Sequence, residues 1–337
     1  MPQTHPSCIL FGRLNRDTII TSDGKVRVDQ PGGNVLYAAA ASRLWGVNPG
    51  LVARAGSDYP GEWVQGLAER GLDTRGIRIL NGPQDLRRFF AYKDVEHYTT
   101  ENPVKHFARL GLAFPKSLLD YQAPKQKLDS KRERSSLTLR REDIPEEYRG
   151  AEAAYFCPMD FFSHALLPAA LREMGIRQIM LEAGNNYMHP QFWDEIPGLV
   201  NGLSVFIVRD EQLRALFSER GEDLWEMAAL LGSFNCGAVL IRTAARGYWL
   251  YETESGGRTR LPGFPARRYD ITDEGSSFCG GYLAALVQSA DVQRALLVGA
   301  AISSLAVEGS GPFYVADTLP GLVEARIKSL EAAIQVL

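Results

Sequence analysis

Short apolar runs alternate with longer helical patterns along most of the chain. The runs have the length of β-strands, and segments such as FSHALLPAALREMG and RDEQLRALFSERG separate them. They are SCILFG, GLVARAG, AAYFCP, QIMLEA, LSVFIV and GAVLIR. Strands that alternate with helices predict an α/β fold with a mostly parallel central sheet and helices on both faces. Sites in such sheets lie at the carboxyl ends of strands, so we expect functional residues in the loops that follow these runs.

A different pattern near the N-terminus predicts a small β element and two helices. DTIITSDGKVRVDQ alternates β-forming residues around an Asp-Gly pair, which predicts a hairpin, and LRRFFAYKD predicts a half-exposed strand. PGGNVLYAAAASRLWG predicts a helix that ends at Gly46, and SDYPGEWVQGLAERG predicts a helix that Ser57 or Asp58 opens and Gly71 closes. No tandem repeat or linker-like stretch interrupts the pattern, so we expect residues 1–337 to form a single domain.

The composition is ordinary for a soluble globular protein, with 45% hydrophobic and 23% charged residues. A formal net charge of −3 gives no reason to expect nucleic acid or an anionic membrane as a partner. The four cysteines lack C-x-x-C spacing, which favours a reducing compartment and argues against structural zinc. Neither a signal-peptide pattern nor an apolar run of roughly 20 residues occurs. We therefore expect a cytoplasmic protein.

Two features favour structural roles over functional ones. Residues 125–149 mix acidic and basic side chains, which predicts a solvated loop or helix face rather than a basic binding patch. His164 and His189 follow predicted strands but are isolated from each other and from other ligand residues. We expect each to be a hydrogen-bonded structural histidine rather than a metal ligand.

Five segments, taken in order, resemble the ribokinase-like (PfkB) family of carbohydrate and nucleoside kinases. They are GRLNRD, GGNVLYAAAASRLWG, ARAGSDYPGEW, DITDEGSSFCGGYLAAL and AAISSLAVEGSGP. The resemblance implies a three-layer ribokinase-like fold with a small β lid, here about residues 13–30 and 85–98, that often takes part in dimer contacts. It also implies ATP and Mg²⁺ as cofactors and a sugar-like or nucleoside-like molecule as ligand.

On the acceptor side, where the molecule that accepts the phosphoryl group would bind, the resemblance implies five substrate-binding residues. Asp17 would contact sugar hydroxyls, and the others would lie against the sugar. The five are Asn15, Asp17, Gly32, Gly33 and Asn34. Simpler interpretations stay open: an exposed strand end for Asp17, a turn before a helix for the glycine pair, and a helix cap for Asn34.

On the phosphate side the chain departs from the family signature, which usually reads D-T-T-G-A-G-D-S-F-x-G-G. The Gly-Ala-Gly anion hole becomes Asp273-Glu274-Gly275, and the family's catalytic aspartate becomes Ser276. A serine hydroxyl is too weakly acidic to serve as a base at neutral pH. Each carboxylate about 4 Å from a phosphoryl group would oppose it by roughly 1 kcal/mol in water-like surroundings, and by about 4 kcal/mol at an effective dielectric of 20.

Two further motifs are altered. The family's N-x-x-E element, which organises Mg²⁺, aligns with residues 209–212, where Asp210 and Glu211 are adjacent. The nucleotide turn T-x-G-x-x-G aligns with residues 242–247 and keeps only its last glycine. The nucleotide-binding residues that the resemblance implies are Arg242, Gly247, Gly275 and Gly309.

The intact acceptor side and the altered phosphate side support one leading hypothesis. The chain has a ribokinase-like fold, has lost or nearly lost kinase chemistry, and binds a sugar-like or nucleoside-like molecule. Residues 272–277 then form an ordinary helix start, with Thr272 or Asp273 as N-cap, although a metal site at Asp273 and Glu274 stays open. The alternative is an active ATP-dependent sugar kinase that uses Asp273 or Glu274 as base. A scaffold that binds a partner through the lid edge is a third hypothesis.

Overall fold

The computed structural model describes residues 5–125, 127–218, 220–243, 246–319 and 321–337. The strands in these residues are β1 (Cys8–Phe11), β2 (Asn15–Ile20), β3 (Val26–Gly32), β4 (Pro49–Ala55), β5 (Asp73–Ile79), β6 (Arg87–Tyr92), β7 (Tyr98–Thr99), β8 (Ala153–Phe156), β9 (Gln178–Glu182), β10 (Val205–Arg209), β11 (Ala238–Thr243), β12 (Gly247–Glu252), β13 (Arg258–Leu261) and β14 (Gln335–Val336). The α-helices are α1 (Asn34–Leu44), α2 (Gly61–Glu69), α3 (Pro103–Arg109), α4 (Phe161–Glu173), α5 (Ile196–Val200), α6 (Asp210–Phe217), α7 (Leu224–Gly232), α8 (Glu274–Ser289), α9 (Val292–Ala306) and α10 (Leu322–Glu331).

The large sheet has the strand order β14-β13-β12-β11-β10-β9-β8-β1-β4-β5. All neighbours from β11 to β5 are parallel, and β12, β13 and β14 add an antiparallel edge. The apolar runs predicted as strands form its centre, where β1, β4 and β8 are buried along their whole length. The prediction of a mostly parallel central sheet is therefore confirmed.

Helices cover both faces of the large sheet. Apolar residues of α1, α8, α9 and α10 form one core, and those of α4, α5, α6 and α7 form the other. Helices α1 and α8 cross closely because Gly280 has no side chain: a Cβ atom there would lie 2.1 Å from the carbonyl oxygen of Ala38. This crossing fixes α8, whose first turn holds Ser276, against the helix that follows Gly33.

A second sheet, which we call the lid, has the strand order β3-β2-β6-β7. It is built from the two segments predicted for it. One face packs against α3 and the residues that follow, through a small cluster that includes Phe89 and Phe107. The other face packs Phe90 and Tyr92 against Ile271, just before α8. The lid therefore touches the segment that carries the altered signature.

Two helix starts differ from the prediction. Helix α2 begins after Pro60 rather than at Ser57 or Asp58, because the Asp58 carboxylate accepts a hydrogen bond from the Gln84 amide in a neighbouring loop. Helix α1 has Gly33 at the N-cap position, so the interpretation of Asn34 as the cap is wrong. No α-helix in the described ranges is long and apolar enough to cross a membrane.

His164 is a satisfied core residue, as predicted. Its Nε2 lies 2.9 Å from the Cys157 carbonyl oxygen and its Nδ1 lies 2.7 Å from the Tyr187 hydroxyl. The side chain is fully buried, and this burial lowers the pKa of His164 to about 4. The ring is therefore neutral in the folded protein at neutral pH.

This burial predicts a loss of stability in mild acid. The unfolded chain, with a histidine pKa of about 6.5, binds a proton that the folded chain excludes, so stability falls as pH drops from about 6.5 to about 4 by up to roughly 3 kcal/mol. Denaturant unfolding of a His164→Gln variant should show a pH slope smaller by about 1.4 kcal/mol per unit in this window. A His97→Gln control, whose ring is 74% exposed, should keep the wild-type slope. Equal slopes in all three proteins would contradict the prediction.

Candidate functional site

One arginine joins the acceptor side of the predicted site to the phosphate side. Arg88 donates from Nε to Asp17 Oδ1 at 2.8 Å and from Nη2 to Asp17 Oδ2 at 2.7 Å. The same guanidinium donates from Nη2 to Asp273 Oδ2 at 2.6 Å and from Nη1 to Asp273 Oδ1 at 3.3 Å. The lid is thereby bridged to the start of α8 by one cation between two carboxylates.

The pairing of β2 with β6 produces this arrangement. Asp17 and Arg88 are register partners in neighbouring parallel strands of the lid. Sequence reasoning missed Arg88, since LRRFFAYKD shows a strand but not which residue lies opposite Asp17. The interpretation of Asp17 as an exposed strand end is wrong, because the residue is 2% exposed.

Burial governs the electrostatics of this bridge. Burial raises the pKa of Asp17, and the Arg88 guanidinium only partly offsets that effect. Burial alone would lower the pKa of Arg88, but the Asp17 and Asp273 carboxylates raise it well above its usual value. The buried Asp17 carboxylate therefore depends on Arg88 to remain charged.

The glycine pair is required by close packing beside Asp17. A Cβ atom at Gly32 would lie 1.9 Å from Asp17 Oδ2. Gly33 has φ of 106°, in the region that favours glycine, and a Cβ atom there would lie 2.1 Å from the Arg13 carbonyl oxygen. Gly32 therefore lets the chain approach the buried Asp17 carboxylate, and Gly33 lets it approach the Arg13 carbonyl oxygen, more closely than any other residue would allow.

The two predicted asparagines are held by main-chain groups. Asn34 Oδ1 accepts from the Arg13 amide at 2.8 Å, and its Nδ2 donates to the Pro158 carbonyl at 2.9 Å. Asn15 Nδ2 donates to the Leu86 carbonyl at 3.1 Å. Asn34 thus ties the loop after β1 to the loop after β8, and Asn15 ties the lid together.

A cavity of about 420 Å³, which we call the lid cavity, opens beside Asp17. It lies between the lid, α1, α2 and the residues after α9. Tyr37 lines it, and the buried Tyr37 hydroxyl has no hydrogen-bond partner among the described residues. Burial, then the Asp270 carboxylate, raises the pKa of Tyr37, so its hydroxyl keeps its proton. Further lining comes from Gln30, Trp63, Ser310 and Phe313.

On the phosphate side, the Arg242 guanidinium lies against the first turn of α8. A Cβ atom at Gly275 would lie 1.9 Å from Arg242 Nη1. Arg242 Nη1 donates to Glu182 Oε1 at 2.5 Å, and Glu182 Oε2 accepts from the Tyr155 hydroxyl at 2.6 Å. Burial alone would lower the pKa of Arg242, but Glu182 reverses this effect and raises it. Arg242 and Glu182 thus form a largely buried ion pair where the resemblance places the anion hole.

The altered signature residues are also engaged. Ser276, at the position of the family base, is 3% exposed. Asp273 occupies the N-cap position of α8 with φ of 50°, but its side chain makes no capping hydrogen bond because Arg88 holds the carboxylate. Asp273 is therefore the N-cap residue, as predicted, but the start of α8 lacks the side-chain hydrogen bond of an ordinary capped helix. Glu274 Oε1 accepts from the Ser303 hydroxyl at 3.2 Å and lies 3.9 Å from Arg268 Nη2.

The remaining nucleotide-side residues have structural contacts. Gly247 has φ of 75°, and a Cβ atom there would lie 2.2 Å from the Leu261 carbonyl oxygen. A Cβ atom at Gly309 would lie 2.1 Å from the Tyr314 ring. Ala244 and Ala245 of the aligned turn lie outside the described residues. Among the residues that the structure describes, no three His, Cys, Asp or Glu side chains converge on a possible metal position.

A phosphate group does not fit the expected anion hole in this arrangement. The guanidinium of Arg242 fills the space beside the Gly275 backbone, and Asp273 and Glu274 add negative charge to the same turn. Around the first turn of α8, four carboxylates (Asp17, Glu182, Asp273 and Glu274) pair with three guanidinium groups (Arg88, Arg242 and Arg268). The formal balance of this group is negative, which opposes a polyphosphate.

Comparisons with known proteins agree with the family resemblance of the sequence. The model of the pfkB family carbohydrate kinases matches residues 146–319. A cytidine kinase of Thermococcus kodakarensis is 25% identical over 293 residues, which cover 86% of this chain and 92% of that protein.

Solved structures match the fold over nearly the whole chain. An E. coli protein assigned to the ribokinases, solved with ATP and Mg²⁺, has a TM-score of 0.69 at 15% identity, covering 96% of this chain and 99% of that chain. A nucleoside kinase of Burkholderia thailandensis in complex with inosine has a TM-score of 0.66 at 16% identity, with the same coverage of both chains. The predicted ribokinase-like fold is therefore confirmed.

Proposed function

Because this chain belongs to the pfkB family of carbohydrate kinases, we propose that it binds a sugar-like or nucleoside-like molecule in the lid cavity without transferring a phosphoryl group to it. The Arg242–Glu182 ion pair against Gly275 carries this proposal. Phosphoryl transfer needs a free set of donors that receives the developing negative charge, together with a base for the acceptor hydroxyl. Here an internal carboxylate already satisfies the cation, and Ser276 stands in place of the base.

The lid cavity supports the binding half of the proposal. Its volume of about 420 Å³ lies within the range of small-molecule sites. It is lined by the Asp17 carboxylate, by the rings of Trp63 and Phe313, and by Tyr37, whose buried hydroxyl has no partner among the described residues. Ribose hydroxyls suit the polar groups, and a base or sugar face suits the rings. The cytidine kinase relative favours a nucleoside within this class.

Removal of the Tyr37 hydroxyl tests ligand binding without disturbing the fold. We expect Tyr37→Phe to unfold at the wild-type temperature or above it, because the lost hydroxyl has no partner. We expect its affinity for the best compound of a panel (cytidine, inosine, ribose and fructose) to fall by about tenfold, as for one lost hydrogen bond. Thermal shift finds the compound and calorimetry measures the affinity.

The matched control is Tyr282→Phe. Tyr282 also has a buried hydroxyl with no hydrogen-bond partner in the described part of the chain, but it does not line the lid cavity. This variant should bind the compound as the wild type does. The binding proposal fails if no panel compound stabilises the wild type at millimolar concentration, or if both variants lose affinity equally.

A second candidate function is the active kinase that uses Asp273 as base. One observation favours it: Asp273 shares the Arg88 guanidinium with Asp17, so it lies close to the expected position of the acceptor hydroxyl. The same contact opposes this role, because both oxygens of the Asp273 carboxylate already accept hydrogen bonds from Arg88. The homodimer through the lid and the cytoplasmic location stay predictions, and native mass spectrometry of the purified chain tests the first.

A further inference from the structure

A second cavity, of about 400 Å³, lies on the other face of the large sheet. We call it the arginine cavity. It is lined by the end of β5, residues 134–142 and one side of α4, whose apolar residues belong to the core opposite α1 and α8. It shares no lining residue with the lid cavity. Several of its lining residues belong to the charged segment 125–149, to which the proposed function assigns no role.

Four guanidinium groups surround the arginine cavity, against one carboxylate, that of Glu142. Arg78 pairs with Asp143 at 3.2 Å, and Arg141 pairs with Glu173 at 2.6 Å. The other two are Arg134 and Arg140, whose side chains form no ion pair within the described ranges. Arg134 and Arg140 therefore have no carboxylate partner in the described part of the chain. Glu142 adds one negative charge to the same cavity, and the Arg134 guanidinium lies over the Phe162 ring at 5.4 Å.

The floor of the arginine cavity is apolar. Leu139 and Leu167 are each 2% exposed, and Ala170 lies beside them. Leu166 forms part of the wall with 45% of its surface exposed. A ligand that fills this space would need an apolar part as well as negative charge.

Buried contacts hold the arginine-bearing segment in place. Arg54 donates two hydrogen bonds to the buried Asp143 carboxylate, at 2.8 and 3.0 Å, and a third to the Ser136 carbonyl at 3.0 Å. The Leu139 amide donates to the Ser163 hydroxyl of α4 at 2.9 Å. Because the segment is fixed before any ligand arrives, little ordering opposes binding.

From these features we propose that the arginine cavity binds a small organic phosphate, with its phosphate on Arg134 and Arg140 and its apolar part on the leucine floor. A phosphate monoester carries a charge of about −1.5 to −2 at neutral pH, which matches two unpaired guanidinium groups. The planar guanidinium donates paired hydrogen bonds to phosphate oxygens. A single carboxylate would leave one of the two positive charges without a partner.

The test uses phenyl phosphate as probe, because it combines one phosphate with one apolar ring. We expect saturable calorimetric binding to the wild-type chain with a Kd below about 1 mM. An Arg134→Gln/Arg140→Gln variant should bind at least about tenfold more weakly. The charge-matched control is Arg132→Gln/Arg149→Gln, two exposed arginines that do not line the cavity, and it should bind as the wild type does.

Two further comparisons separate the parts of the proposal. Leu166→Gln should weaken phenyl phosphate but leave the weaker binding of inorganic phosphate unchanged. Benzoate should bind at least about tenfold more weakly than phenyl phosphate. The proposal is overturned if the wild type shows no saturable binding, if the control variant loses as much affinity as the cavity variant, or if benzoate or inorganic phosphate binds as tightly as phenyl phosphate. All substituted side chains are exposed, so the variants should unfold at the wild-type temperature.

Discussion

Replacing Arg88 by glutamine will lower the free energy of unfolding by about 3 kcal/mol at neutral pH, because it leaves the buried Asp17 carboxylate and the half-buried Asp273 carboxylate without their cation. Arg88 makes four hydrogen bonds to two carboxylates, Asp17 and Asp273. The Asp17 side chain is 3% exposed and that of Arg88 is 21% exposed, so solvent screens this bridge weakly. Urea unfolding of the two proteins measures the difference.

The loss of unfolding free energy in Arg88→Gln, which we call its deficit, will depend on pH. Burial raises the pKa of Asp17 even with Arg88 present, and loss of the guanidinium raises it further. A carboxyl group whose folded pKa lies above its unfolded pKa costs stability as pH rises through that interval, since the folded state must lose a proton it favours. The deficit of Arg88→Gln should therefore be smaller at about pH 5 than at about pH 8.

Two controls accompany the Arg88 variant. Arg149→Gln breaks an exposed ion pair with Glu146 and should cost less than about 1 kcal/mol at either pH. Adding Asp273→Asn to Arg88→Gln removes one of the two orphaned charges and should restore part of the lost stability. A deficit for Arg88→Gln as small as that of Arg149→Gln, with no dependence on pH, would show that the bridge does not hold the lid to α8.

Replacing Glu182 by methionine is the second change with a large expected effect. We expect it to lower the free energy of unfolding by about 3 kcal/mol. Glu182 is the carboxylate partner of Arg242, and it also accepts the Tyr155 hydroxyl hydrogen bond. Its side chain is 5% exposed and that of Arg242 is 18% exposed, so the arginine would be left charged and largely dehydrated against Gly275.

The double variant Glu182→Met/Arg242→Met separates the ion pair from the packing around it. Replacing a whole buried pair by apolar side chains is often neutral, whereas removing one partner is costly. We expect the double variant to recover most of the stability lost in Glu182→Met, as measured by urea unfolding. Additive losses in the double variant would mean that the two side chains do not form the pair that fills the anion hole.

The arrangement of strands and helices was largely predictable from the apolar runs, while the chemistry of the site was not. Runs such as AAYFCP and GAVLIR became β8 and β11, and the hairpin pattern became β2 and β3. The altered signature at residues 273–276 indicated a defective phosphate site, but it did not show what occupies the space. That depends on Arg242, which reaches Gly275 and Glu182 only once β9, β10 and β11 are aligned side by side.

Side chains that find partners in distant segments caused the other errors. Asn34 follows a glycine pair and has the sequence of a helix cap, yet its amide bridges Arg13 and Pro158. Asp273 has the sequence of an N-cap, yet its carboxylate binds Arg88, which lies 185 residues away along the chain. No local pattern reports contacts of this kind, because they depend on how separate strands pair.

The central claim is that this pfkB-family chain binds its ligand but does not phosphorylate it. The most direct measurement mixes the purified chain, in molar excess, with γ-labelled ATP, Mg²⁺ and the acceptor that the thermal-shift panel identifies. The account predicts no labelled acceptor above a control without protein. Labelled acceptor that forms with the wild type and disappears in an Asp273→Ala/Glu274→Ala variant would contradict the account and establish the active kinase instead.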